Sequence, residues 1–128
     1  QRQMCIRDSN IVVSFGSDAP CTTPDPIAWM DRAVNNDNAG QAVSVQDALR
    51  MCTYNGAWAA FDEQERGSLE AGKIADMAVL SENPYTVPKD KLSGLRVERL
   101  YLSGKSYESC RENILPMMLR GLTSRNKA

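Results

Sequence analysis

Asp18 has the clearest chemical setting of any residue in this chain. It follows an apolar, largely β-branched run, Ile11-Val12-Val13-Ser14-Phe15, and a small-residue exit, Gly16-Ser17. A buried barrel strand delivers a catalytic carboxylate to its C-terminal mouth in this way. A metal or acid–base site around such a carboxylate ordinarily uses imidazoles as well. The chain contains no histidine. Either Asp18 is a turn residue, as an Asp after a Gly-Ser turn often is, or its partners lie outside this sequence. We take the second reading. Cys21 has no histidine to activate it as a nucleophile. Asp76 precedes a strand-like run and reads as structural. Gly67 and Gly72 lack the strand–turn–helix context of a phosphate-binding loop.

These residues need elements to position them. Ile11 to Phe15 is a buried-strand candidate. Asp25 suits a helix N-cap and Pro26 the first helical position. That helix is expected to run to about Val34, with Ile27, Met30, Ala33 and Val34 on one face. Asn35 to Gly40 is a polar turn. Ser44-Val45-Gln46-Asp47 has the form of a capping box. After it Val45, Ala48, Leu49, Cys52 and Ala59 recur at helical spacing. Asn55-Gly56 is a turn signal, but we expect one continuous helix through it, with Met51, Trp58 and Phe61 packed in the core. From Gly67 the chain becomes glycine-punctuated. Ala75 to Leu80 is strand-like, Asn83-Pro84 and Val87-Pro88 bound a loop, and Arg96 to Leu102 partly alternates. Ser103-Gly104-Lys105 turns the chain, and Tyr107 begins a short last strand. Residues 109–128 form a basic tail in which Ile114, Met117, Met118, Leu119 and Leu122 suggest a short amphipathic helix, fit to dock on a partner domain.

Composition excludes several functions. The chain is 42% hydrophobic and 24% charged, as globular proteins are. A net charge of −1 gives no electrostatic case for nucleic acid or an anionic membrane. No apolar run approaches the ~20 residues of a membrane span. Cys21, Cys52 and Cys110 are scattered and read as intracellular thiols, so a cytoplasmic setting is expected. The first nine residues differ from the rest. Met4-Cys5-Ile6-Arg7-Asp8-Ser9 matches one reading frame of a transposase-adapter end, ATG TGT ATA AGA GAC AG. We read residues 1–9 as adapter-derived and exclude them from fold reasoning; a polar N-terminus without structure is the other reading.

Three stretches resemble the amidohydrolase superfamily, in its Amidohydrolase family 3 branch. Phe15-Gly16-Ser17-Asp18-Ala19-Pro20, with Pro24-Asp25-Pro26 downstream, resembles the last barrel strand and the loop after it. Ala48 to Ala57 is similar to the helix that follows. Gly67-Ser68-Leu69-Glu70-Ala71-Gly72-Lys73-Ile74-Ala75-Asp76, leading into Met77-Ala78-Val79-Leu80, is similar to the return of the chain to a β-sandwich domain. The resemblance implies an α+β chain that is the C-terminal end of a (β/α)8 metal-dependent hydrolase barrel followed by part of a small β-sandwich. Residues 10–66 would hold the last barrel strand and following helices, and residues 67–108 the strands of the sandwich.

The resemblance also implies the chemistry. Asp18 matches the family's carboxylate at the metal, which serves as metal ligand and as general base on the hydrolytic water. Ala19, Pro20 and Cys21 would line the pocket of a small-molecule substrate with a non-peptide C–N bond. The cofactor implied is a divalent metal, zinc first, with iron or manganese as alternatives. The family's histidine ligands belong to earlier strands, and a whole barrel needs about 250 residues. This chain alone is therefore expected neither to bind the metal nor to catalyse, and to expose faces that lead to association. Two other readings stand beside this one. One is a non-enzymatic scaffold or binding protein of the same fold family. The other is a free-standing small α+β interaction module, which predicts a cooperative melt.

Overall fold

The structure is a computed structural model and describes residues 11–107. The adapter-like stretch 1–9 and the tail 109–128 lie outside the described residues.

The helical half begins at α1, Pro26–Val34. Asp25 caps it as its residue type dictates: one carboxylate oxygen accepts from the amides of Ile27 and Ala28, both at 3.1 Å, and Pro26 takes the position whose missing N–H costs nothing. A 3₁₀ turn at Ala39–Gln41 leads to α2, Val45–Cys52. Ser44 caps α2 by accepting from the Asp47 amide at 3.0 Å. Its hydroxyl then donates to the Asp47 carboxylate at 2.7 Å, so the box closes side chain to side chain. Ser44→Ala should cost about 1 kcal/mol, read as a lower urea midpoint with an unchanged slope.

The single helix expected from Ser44 onward is broken, and the break is at Thr53 rather than at Asn55-Gly56. Thr53 has φ −123° and ψ −93°, and α3 restarts over Tyr54–Ala59. The Thr53 hydroxyl donates to the Leu49 carbonyl at 2.8 Å, the back-bonding through which threonine competes with the helix ladder. Gly56 passes through α3 without ending it.

The sheet half is three antiparallel strands in the order β1-β2-β3: β1 is Met77–Leu80, β2 Val97–Leu102 and β3 Lys105–Tyr107. Met77 faces Tyr101 and Ala78 faces Leu100, and the register slips between Val79 and Leu80 at a bulge. Ser103 and Gly104 both have positive φ, the backbone of a type I′ hairpin whose twist suits the strands. β3 therefore opens at Lys105, two residues before the expected start at Tyr107. Asp76 ties this hairpin back to the chain. One carboxylate oxygen accepts from the Ser103 amide at 2.8 Å, and the other binds Arg66, which also pairs with Asp62 at 3.0 Å. The structural reading of Asp76 follows from these contacts.

The core sits between the helices and a 3₁₀ segment at Lys89–Gly94 that had no counterpart in the sequence reading. Met30 and Val34 of α1, Ala48 of α2, and Leu92 and Leu95 are buried together. The Leu92/Leu95 spacing of three after Pro88 was the available signal. Trp58 and Phe61 correct the core expectation: Trp58 is 45% exposed and Phe61 93% exposed. α3 ends at Ala59, and Phe61 then takes φ 59°, a turn that faces it to solvent instead of toward the α1–α2 core. Val79, Val97, Leu102 and Tyr107 leave the sheet partly exposed as well. No helix among the described residues is long and apolar enough to cross a membrane.

Candidate functional site

Ile11 to Phe15, where a strand was expected, carries no strand pairing among the described residues. A strand exists only through a neighbour that completes its ladder, and none of the three paired strands lies beside this run. The segment is instead tethered to the helices. The Asn55 side-chain amide, from α3, donates to the Val13 carbonyl at 2.7 Å. The Phe15 amide donates to the Met51 carbonyl of α2 at 3.2 Å. The Phe15 ring packs against the core and lies 6.3 Å, centroid to centroid, from Trp29. Val13, Arg50, Met51 and Asn55 border an open cavity of about 160 Å³ along this seam.

Beyond Phe15 the chain closes into a turn that presents Asp18. The Cys21 amide donates to the Asp18 carbonyl at 2.9 Å, the Ala19 amide donates to the Ser17 hydroxyl at 3.2 Å, and the Thr22 hydroxyl donates to the Ser17 carbonyl. Asp18 itself has φ 49°. That left-handed backbone disfavours most side chains and is tolerated by Asp and Asn. Non-glycine residues held there concentrate at functional sites. Asp18, Ala19, Pro20 and Cys21 are all exposed on this turn. Among the described residues no donor reaches the Asp18 carboxylate, and no three His, Cys, Asp or Glu side chains come together as a metal site.

The other titratable groups do structural work. Cys52 is half-buried beside the Pro26 carbonyl, and burial pushes its thiol up to about 11. It is therefore protonated at neutral pH and unreactive. Lys73 donates to the Glu63 carbonyl and to the Ser68 hydroxyl, each at 2.7 Å, and lies 5.9 Å from the centre of the Tyr54 ring. The Ser68 hydroxyl, and then the Lys73 ammonium, hold the Glu70 carboxyl below its ordinary value. Together these contacts bind the glycine-punctuated return segment to α3. Asn55, which in sequence signalled a turn, is the second residue of α3, and only the structure reveals its bond to the Val13 carbonyl.

Comparison with known proteins identifies the family. A family model described as the amidohydrolase family (Amidohydro_3) matches residues 4–107. The chain is 39% identical over 104 residues to an N-substituted formamide deformylase of Arthrobacter pascens, covering 76% of this chain and 19% of that protein. It is 33% identical over 91 residues to a 5-methylthioadenosine/S-adenosylhomocysteine deaminase of Thermoanaerobacter pseudethanolicus, covering 64% and 21%. The chain thus spans about a fifth of the length of these curated relatives. Its fold is similar to that of an amidohydrolase from Thermotoga maritima MSB8, with a TM-score of 0.65 at 23% identity, covering 83% of this chain and 26% of that one. With a family match over most of its length, the chain belongs to the amidohydrolase family, in its family 3 branch.

Proposed function

We propose that this chain is the C-terminal portion of an enzyme that hydrolyses a non-peptide C–N bond in a small molecule, with Asp18 as its proton-transfer residue. Family membership supports the reaction class. One relative is named as a deformylase of N-substituted formamides and another as a deaminase, and both names describe breaking a C–N bond. The observation that carries the assignment to Asp18 is its presentation. A carboxylate with no partner among the described residues sits at φ 49° on a closed turn, directly after an apolar segment pinned to two helices. In this reading Ile11–Phe15 is the last strand of a (β/α)8 barrel, completed by strands outside residues 11–107. Strands β1–β3 contribute to a small sandwich, and Ala19, Pro20 and Cys21 border the substrate.

The described residues do not make a metal site by themselves; Asp18 would be one donor, with the other ligands supplied from outside residues 11–107. A divalent metal there, zinc foremost, would supply hydroxide near neutral pH and polarise the scissile carbonyl. Asp18 accepts the proton of the attacking water and returns it to the leaving nitrogen. Chelation tests the metal. The full-length protein is assayed for release of formate from N-substituted formamides and of ammonia from aminopurine nucleosides. Dialysis against a strong chelator should abolish whichever activity is found, and added Zn²⁺, Fe²⁺ or Mn²⁺ should restore it. Full activity in metal-free protein, verified by elemental analysis, would overturn the metal assignment.

A further inference from the structure

We infer that Asn55 is a positioning residue for Asp18, a role that rests on the proton-transfer function proposed for Asp18. The chain from Ile11 to Asp18 pairs with no strand among the described residues, and within them it is fixed by a few bonds to the helices. Two of them reach across the sequence. The Phe15 amide donates to the Met51 carbonyl, and the Asn55 side chain donates to the Val13 carbonyl at 2.7 Å. The second joins residues 42 positions apart and is partly shielded from water. A shielded bond of this kind is costly to leave unmade, because the Val13 carbonyl would keep no partner among the described residues.

Asn55 also sits where α2 gives way to α3, one turn beyond Met51. Both anchors of the segment thus come from adjacent turns of the same helical pair. Beyond Phe15 the Ser17–Thr22 turn is closed by its own hydrogen bonds, so it moves as a unit. A shift of the Val13 carbonyl is passed to Asp18 through this short, locally rigid stretch. Reaction geometry is steep in such displacements: a misplacement of about 1 Å can cost 10²-fold in rate. A site residue needs supporting contacts of this kind to hold its geometry.

The test is Asn55→Asp, which keeps side-chain size but sets an acceptor against the Val13 carbonyl. In the full-length protein kcat should fall about 10- to 100-fold, with KM changed by less than about twofold. In the same full-length protein the Phe15 amide should exchange about tenfold faster, while amides of α1 are unaffected. Thr53→Val is the structural comparison. It removes the Thr53–Leu49 bond from the same helix junction without touching Val13, and should lower stability but leave kcat in place. An unchanged kcat or an unchanged Phe15 exchange rate in Asn55→Asp overturns the inference, as does an equal loss of kcat in Thr53→Val. Asp18→Asn run in parallel separates the two claims. If Asp18→Asn is silent and Asn55→Asp fully active, only the positioning role fails. If Asp18→Asn stays active, the reading beneath it fails.

Discussion

Asp18→Asn in the full-length protein is expected to lower kcat by about 10²- to 10⁴-fold, the usual contribution of a positioned acid–base group. The substitution is informative because it spares the fold. Asn shares with Asp the tolerance for left-handed backbone, so φ 49° stays accessible. The turn is held by the Cys21 amide, the Ser17 hydroxyl and the Thr22 hydroxyl, none of which uses the Asp18 side chain. An amide cannot take a proton from water near neutral pH, so the loss reads chemistry. Asp18→Ala would be ambiguous, because alanine at this φ adds a backbone penalty of about 1 kcal/mol or more. The measurement is steady-state kinetics beside a thermal melt. Unaltered melting with lost turnover is the expected pair, and retained turnover in Asp18→Asn would falsify the assignment.

The largest effect on stability is expected at Gly67. Its φ is +87°, and a Cβ there would meet the Ala57 Cβ at 2.7 Å and the Tyr54 Cα at 3.0 Å. Both atoms belong to the body of α3, which cannot swing aside as a flexible side chain would. Gly67→Ala therefore combines backbone strain with overpacking. These are worth about 1–2 kcal/mol and about 1–3 kcal/mol respectively. Gly72 separates the two terms. Its φ is +97°, but a Cβ there meets nothing within 4 Å. Gly72→Ala should show the backbone penalty alone. Urea unfolding of the two variants should place Gly67→Ala below Gly72→Ala by the steric difference. Equal midpoints would mean that α3 and the return segment do not make the close approach described here. That approach matters beyond stability, because α3 also carries Asn55.

Local features were legible in the sequence because their causes are local. The Asp25 and Ser44 caps depend on amides no more than three residues away, and the structure places both where residue type and spacing put them. The Ser103-Gly104 turn is similar: two residues of positive φ join strands that face each other directly. Gly67 is fixed by a close approach and Asp76 by the hairpin it clamps. Asp18 was visible as a carboxylate on a small-residue turn, and family membership followed from the order of these pieces.

Other features depend on partners distant along the chain, and there the sequence was silent or misleading. Ile11-Val12-Val13 has every local mark of a strand, yet pairing is a property of two segments, and among the described residues the run is held by helix side chains and carbonyls instead. Thr53 breaks a helix that periodicity carried through, at the point where the return segment at Gly67 packs close against Thr53, Tyr54 and Ala57. Leu92 and Leu95 became core, while Trp58 and Phe61 stayed exposed, according to which face α1 and α2 happened to cover. The sequence by itself determined the caps, the turns, the family and the carboxylate. Tertiary structure alone decided burial, the helix break and the Asn55 tether, because each is settled by atoms that only folding brings within reach.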